Sequence, residues 1–199
     1  MSKVRWMIEE SIRGAVPLSH FFLRERVEPG SRVVDATCGN GRDTLFLAQL
    51  VGPGGKVWAF DLQEKALANT RALLFQAGCL AQTELVAEGH EHLAKFVGEP
   101  LKAALFNLGY LPGGDRRFVT KPEQTLAALN HAAHLLLPGG IITVCVYTGH
   151  PGGKEEGEAV AKWASCLAPA TYNAWMSHQL NRPSSAPYVV LIEKTRKGI

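Results

Sequence analysis

The sequence predicts an α/β fold: a doubly wound, mostly parallel sheet of seven strands with helices on both faces and the last strand antiparallel. Three observations carry the prediction. From Arg32 onward, short β-branched runs alternate with segments of helical spacing, the pattern of successive βα units. Residues 33–35 break into Gly39-Asn40-Gly41 ahead of a helix-compatible stretch, which reads as a strand, a tight turn and a helix N-terminus. Two closing strands, at 172–176 and 188–193, are joined by a polar loop at 181–186 with no helix between them, so the last inserts antiparallel.

Residues 3–23 read as helical, with a turn near Pro17 that exposes Ser19 and His20. Residues 1–30 form an N-terminal helical segment ahead of a core at 31–199, and the whole chain reads as one domain. After the first strand come a helix at 42–50, the turn Gly52-Pro53-Gly54-Gly55 and a strand at 56–61. In the next helix, 64–77, Ala66, Leu67, Thr70, Leu73 and Leu74 recur at helical spacing and Gly78 supplies the stop. A strand at 83–87, a short helix near 91–97 and a strand at 102–108 follow. Pro122 starts a long helix, because proline in a first turn forfeits no hydrogen bond; the break at Leu135-Leu136-Leu137-Pro138-Gly139-Gly140 ends it. A strand at 141–147 then runs into Thr148-Gly149-His150-Pro151-Gly152-Gly153, and a helix at 155–165 precedes the closing pair.

At 199 residues, with 46% hydrophobic and 20% charged side chains, the chain has apolar material for a core and no signature of disorder. No apolar run is long enough to cross a bilayer, and MSKVRWMIEESIRG lacks the features of a signal peptide, so a cytoplasmic protein with no membrane partner is expected. Cys38, Cys79, Cys145 and Cys166 are too widely spaced for Cys-x-x-Cys pairing and read as reduced, mostly buried thiols. No metal site is expected, since His131 and His134 lack nearby Cys or acidic partners. Net charge is +3, divided as +2 in residues 1–32, +3 in 178–199 and −2 between them. Basic ends suit phosphate partners and equally a solvated tail. Apolar strand edges leave room for a homodimer.

The segment VVDATCGNGRDT, followed twenty residues beyond Gly41 by Asp61 at the tip of VWAFD, is a nucleotide-cradling corner. Glycines admit close backbone approach, and the N-terminus of the next helix presents free N–H groups. Asp61 is placed to accept hydrogen bonds from both ribose hydroxyls of an adenosine. A dinucleotide fingerprint would need a third glycine, but Arg42, Asp43 and Thr44 follow Gly41. Asp35, at the first strand tip, would repel a pyrophosphate and attract the α-amino group of S-adenosylmethionine (SAM), so SAM is the expected cofactor. The loops beyond the strand tips supply Thr37, Gly39, Asn40, Gly41 and Asp43 from the first, Gln63 from the second and Gly89, His90 and Glu91 from the third. Gln63 could bond ribose or adenine, and His90 or Glu91 the adenine edge.

The fourth strand tip carries Asn107-Leu108-Gly109-Tyr110. Amino-directed methyltransferases have Asn/Asp-Pro-Pro-Tyr/Phe there: the polar side chain accepts from the target NH2 and the aromatic ring stacks on the base. The outer two residues match and both prolines are missing, which points to nitrogen as acceptor. An ammonium nucleophile must first lose a proton, and each pH unit below its pKa costs about 1.4 kcal/mol. His150, Tyr147 and His20 are the candidate proton acceptors, with His20 also suited to a structural or RNA contact.

VVDATCGNGRDTLFLAQLVG, VWAFDLQEKALANT, FNLGYLPGGD, VYTGHPGGKEE and VVLIEK together resemble a bacterial family formerly labelled rRNA methylases, the tRNA 5-(aminomethyl)-2-thiouridine methyltransferases. The likeness runs over residues 17–194 and implies a Rossmann-like class I SAM-dependent methyltransferase. It implies methylation of the primary amine of a wobble 5-aminomethyl-2-thiouridine, giving 5-methylaminomethyl-2-thiouridine. It puts Asn40, Asp43, Asp61, Gln63 and His90 near SAM, and Asn107, Gly109, Tyr110, Tyr147 and His150 near the acceptor. An anticodon stem-loop could then follow the basic ends with Arg116, Arg117 and Lys121 while its wobble base splays into the site. N-methylation of rRNA, another nucleobase or a small amine is the alternative, and a non-catalytic SAM- or RNA-binding module a further one.

Overall fold

The computed structural model describes residues 12–109 and 119–195. Helix α1 (Ala15–Arg26) precedes β1 (Arg32–Asp35), and α2 (Arg42–Val51), β2 (Lys56–Phe60), α3 (Glu64–Gln76) and β3 (Thr83–Val86) follow in alternation. A 3-10 turn at His90–His92 runs into α4 (Leu93–Phe96). Then come β4 (Leu101–Asn107), α5 (Pro122–Leu135), β5 (Leu136–Val146), α6 (Gly153–Ser165), β6 (Tyr172–Ser177) and β7 (Tyr188–Lys194). The sheet order is β3-β2-β1-β4-β5-β7-β6, parallel throughout except for β7, which is antiparallel to both β5 and β6.

Alternation along the strands divides the interior into two cores. Val33, Val57, Ala103, Leu105 and Val189 pack with Leu23 of α1, Leu47 of α2 and Leu74 of α3. Their sequence neighbours Val34, Trp58, Ala104, Phe106 and Val190 pack on the other face with Leu93, Leu129 and Val160 from α4, α5 and α6. Both faces are covered, as parallel sheets require. Phe60 and Phe106 are fully buried, and truncating such a ring to alanine typically costs about 3–5 kcal/mol. The outermost strand, β6, is largely exposed, with Trp175 69% accessible. Among the described residues no helix is long and apolar enough to cross a membrane.

Two local expectations are corrected. Pro17 does not make a turn; it sits in the first turn of α1, where N–H groups have no intrahelical partner to lose. Ser19 therefore points inward, donating to Thr143 Oγ1 at 2.8 Å on β5, instead of being exposed. Residues 1–11 of the expected first helix lie outside the described residues. The break before the fifth strand is also drawn into the sheet: Leu136 pairs with Leu101 and Ile141 with Ala103, so the intervening Leu-Pro-Gly-Gly run bulges from the ladder. Pro138 fits there because a bulged residue needs no ladder N–H.

Candidate active site

At the carboxyl ends of β1, β2 and β4 the chain leaves a cleft of about 1120 Å³. It opens where β1 lies between β2 and β4, the switch point at which open α/β sheets bind ligands. All four loops expected at the site contribute to its wall, joined by Val16 and His20 of α1, Thr120 and Gln124.

One half of the cleft is built mostly by backbone. Gly41 has φ +82°, and a Cβ there would stand 2.9 Å from the Cα of Thr70, so α3 packs directly on the turn. Thr70 Oγ1 donates to the Gly39 carbonyl at 2.9 Å. Asp61 accepts the N–H of Gly39 at 3.0 Å and of Gln63 at 2.8 Å, tying the first two loops together at the cleft wall. Burial raises its pKa, against the pull of those backbone bonds. Asn40, whose side-chain oxygen accepts from Asn69 at 3.1 Å, also lines the cleft, as do Gly89 and Glu91. Glu91 is held by Gln124 Nε2 at 2.8 Å.

Asp35 and His90 differ from expectation. Asp35 is fully buried and absent from the cleft wall: it accepts the Thr44 hydroxyl at 2.6 Å and the Thr37 N–H at 3.1 Å. Burial first, and the nearby Asp43 second, push its pKa up to about 7. It organises the turn from beneath and does not face a ligand ammonium. His90 lines the cleft, but Nδ1 donates to the Ala36 carbonyl at 3.1 Å and Nε2 faces Thr125 at 3.4 Å. Both ring nitrogens are turned to protein, so an adenine hydrogen bond from His90 is not supported. Desolvation lowers its pKa, which keeps the ring neutral.

The other half is assembled from side chains. Asn107 Nδ2 donates to Asp43 Oδ2 at 3.0 Å, and Asp43 Oδ1 accepts from His20 Nε2 at 2.8 Å. The His20 ring stacks on Phe46, centroids 3.7 Å apart. Thr37 Oγ1 accepts the backbone N–H of Asn107 at 2.7 Å, joining this half to the first loop. Gly109 has φ +126°, and a Cβ there would lie 3.3 Å from His150 Nε2, so the His150 ring closes off the space beside this glycine. Tyr147 lines the same wall; burial, then Cys145 and Asp43, push its phenol up to about 12. It stays protonated at neutral pH, which removes it as a base and leaves it a donor. Tyr110, Arg116 and Arg117 lie outside the described residues.

A family described as "Putative rRNA methylase" matches residues 57–193. The chain belongs to this family. It is 39% identical over 190 residues to "tRNA (mnm(5)s(2)U34)-methyltransferase, chloroplastic" of Arabidopsis thaliana, an alignment covering 90% of this chain and 69% of that protein. A crystal structure of a protein of the same description from Clostridium thermocellum superposes with a TM-score of 0.89 at 42% identity, covering 93% of this chain and all of that one. A "putative methyltransferase" from Streptococcus mutans in complex with SAH superposes with a TM-score of 0.83 at 38% identity, covering 92% of this chain and 99% of that one. The protein is a SAM-dependent methyltransferase with a Rossmann-like fold. The residues lining its cleft are compatible with that cofactor: the Asp61 carboxylate stands at the β2 tip, a glycine turn opens the backbone, and Leu62, 51% exposed, offers an apolar wall.

Sequence reading missed Leu62, Thr120, Thr125 and Glu156. For Glu156 a signal existed. Gly153, Glu156, Gly157, Val160 and Ala164 form the buried stripe of α6, and a carboxylate on an apolar stripe asks for a partner.

Proposed function

We propose that the protein methylates the side-chain nitrogen of 5-aminomethyl-2-thiouridine at the tRNA wobble position, giving 5-methylaminomethyl-2-thiouridine. The observation that carries this reading is the orientation of Asn107. Asp43 takes the NH2 end of its amide, which leaves the carbonyl oxygen as an acceptor on a residue of the cleft wall. An acceptor suits an N–H substrate and offers a carbon nucleophile nothing to hold. The relative from Arabidopsis thaliana, named for the same uridine, supports the choice of acceptor.

Asp61 would accept the ribose hydroxyls, with Leu62 against the adenine and the Gly39–Gly41 turn open to the rest of SAM. The cofactor supplies a methyl group on a sulfonium sulfur that departs as a neutral thioether. Asn107 aims the amine by accepting one N–H, which leaves the nitrogen lone pair free to attack the methyl group. Asp43 borders the cleft and contacts His20, so this pair takes the proton from a substrate ammonium before transfer. Holding nucleophile and methyl in line is the main demand on the protein, and such positioning is worth up to roughly 7–11 kcal/mol in ideal systems. Arg13 and Arg182, from the two basic ends of the chain, border one surface hollow, which suits a phosphate backbone such as that of an anticodon stem-loop.

The test is incubation with SAM and tRNA carrying 5-aminomethyl-2-thiouridine, read by nucleoside mass spectrometry. A gain of one methyl on the side-chain nitrogen is expected. No gain, with SAM binding demonstrated, overturns the substrate assignment. The family's description favours a second reading, an rRNA acceptor, and ribosomal RNA offered in parallel separates the two.

A further inference from the structure

Beside the cleft runs a chain of hydrogen bonds that the reaction above does not use. Thr120 Oγ1 accepts the N–H of Gly109 at 2.9 Å and donates to Glu156 Oε2 at 2.6 Å. Thr120 N–H also donates to the Gly109 carbonyl at 3.1 Å, so these two residues are doubly joined. The other carboxylate oxygen, Glu156 Oε1, accepts the Thr125 hydroxyl at 2.6 Å, and Thr125 in turn faces His90 Nε2. Through Nδ1, His90 reaches Ala36. Glu156 is 1% exposed.

The distances decide how this chain is polarised. His90 Nδ1 faces a carbonyl and must carry the ring's proton. The single Thr125 proton then has two claimants, Glu156 at 2.6 Å and His90 at 3.4 Å, and the short contact takes it. His90 is secured chiefly by Ala36, whereas Glu156 is secured by both threonines. A buried carboxylate persists only where hydrogen bonds replace water, and here one of its two donors is the residue that clasps Gly109. The His150 ring occupies the space a side chain at Gly109 would need, and Gly109 lies two residues from Asn107.

We propose that Glu156 is a positioning residue of the acceptor half: by fixing the Thr120 hydroxyl it fixes Gly109, and with it the geometry in which a substrate nitrogen meets Asn107. The proposal rests on the methyl-transfer reading above. It makes the acceptor half, and not the SAM half, dependent on a side chain from α6.

The experiment compares E156A, E156Q and T120V with the wild type. For E156A, kcat/KM for aminomethyl tRNA should fall about tenfold or more, the effect of leaving buried hydroxyls without an acceptor. The Kd for SAM by calorimetry should stay within about threefold. Glutamine can accept from Thr120 through Oε1 and donate to Thr125, whose proton then turns to His90, so E156Q should recover to within about threefold of wild type. T120V should share the E156A defect. Amide exchange at Gly109, followed by NMR, should quicken in E156A and T120V but not in E156Q. That readout needs no RNA, so it separates failure of this inference from failure of the substrate assignment. The proposal is overturned if Gly109 exchange is unchanged in both defective variants, or if SAM affinity falls by the same factor as kcat/KM. E156Q as impaired as T120V would overturn it too. Should E156A not fold, T120V and E156Q decide on the same criteria.

Discussion

The two halves of the cleft are made in different ways. The half proposed for SAM is drawn mostly from the turns at 39–41 and 61–63 and from backbone groups, with Asp61 binding the N–H groups of two neighbouring loops. The acceptor half joins side chains from remote segments: Asp43 and Asn107 are 64 positions apart, and Thr120 and Glu156 are 36 apart. A site written in backbone geometry follows from glycine placement and strand tips. A site written in side-chain contacts depends on every helix that delivers one. The halves should therefore be separable by mutation.

The largest separation is expected from Asn107→Ala. Removing a group that acts on the reacting nitrogen should lower turnover by about a hundredfold, the scale seen when one pre-aimed polar contact is lost. SAM affinity should change little. Comparable losses in both quantities would mean that the halves are not independent. Asp61→Ala should show the reverse: a SAM Kd weakened about tenfold, as for loss of hydrogen bonds to a charged group, with turnover at saturating SAM largely kept. Titration calorimetry and saturation kinetics on the same two variants check both predictions.

A pH-dependent effect on stability tests the buried carboxylate beneath the turn. The folded pKa of Asp35 is raised to about 7 by burial, so over the window from about 4 to about 7 the native state holds a proton that the unfolded chain has released. Its contribution to stability is present in full below that window and is lost as pH rises through it. Relative to Asp35→Asn, the wild type should lose up to about 1.4 kcal/mol per pH unit there. Urea denaturation at stepped pH gives the two curves, and parallel curves would show that Asp35 titrates normally.

Asp61 and the Gly39–Gly41 turn were legible because a strand tip and a tight turn are local events, set by residues adjacent in the chain. The sheet was legible for a similar reason, since short β-branched runs alternating with segments of helical spacing are local patterns. Asp35 was misread because its strand-tip position is visible in the sequence whereas its burial under Thr44 and Thr37 is not. Pro17 was misread because a proline signals a turn equally well from just inside a helix start.

What the sequence determined alone is the order of the sheet's building blocks and the side of it on which a nucleoside can be held, because both rest on short-range sterics and patterning. Only the tertiary structure decided that Asp43 links His20 to Asn107, that burial pushes the Tyr147 phenol up to about 12, and that Glu156 underlies Gly109. These depend on desolvation and on contacts between segments far apart in the chain, quantities that come into being only when the helices close over the strand tips.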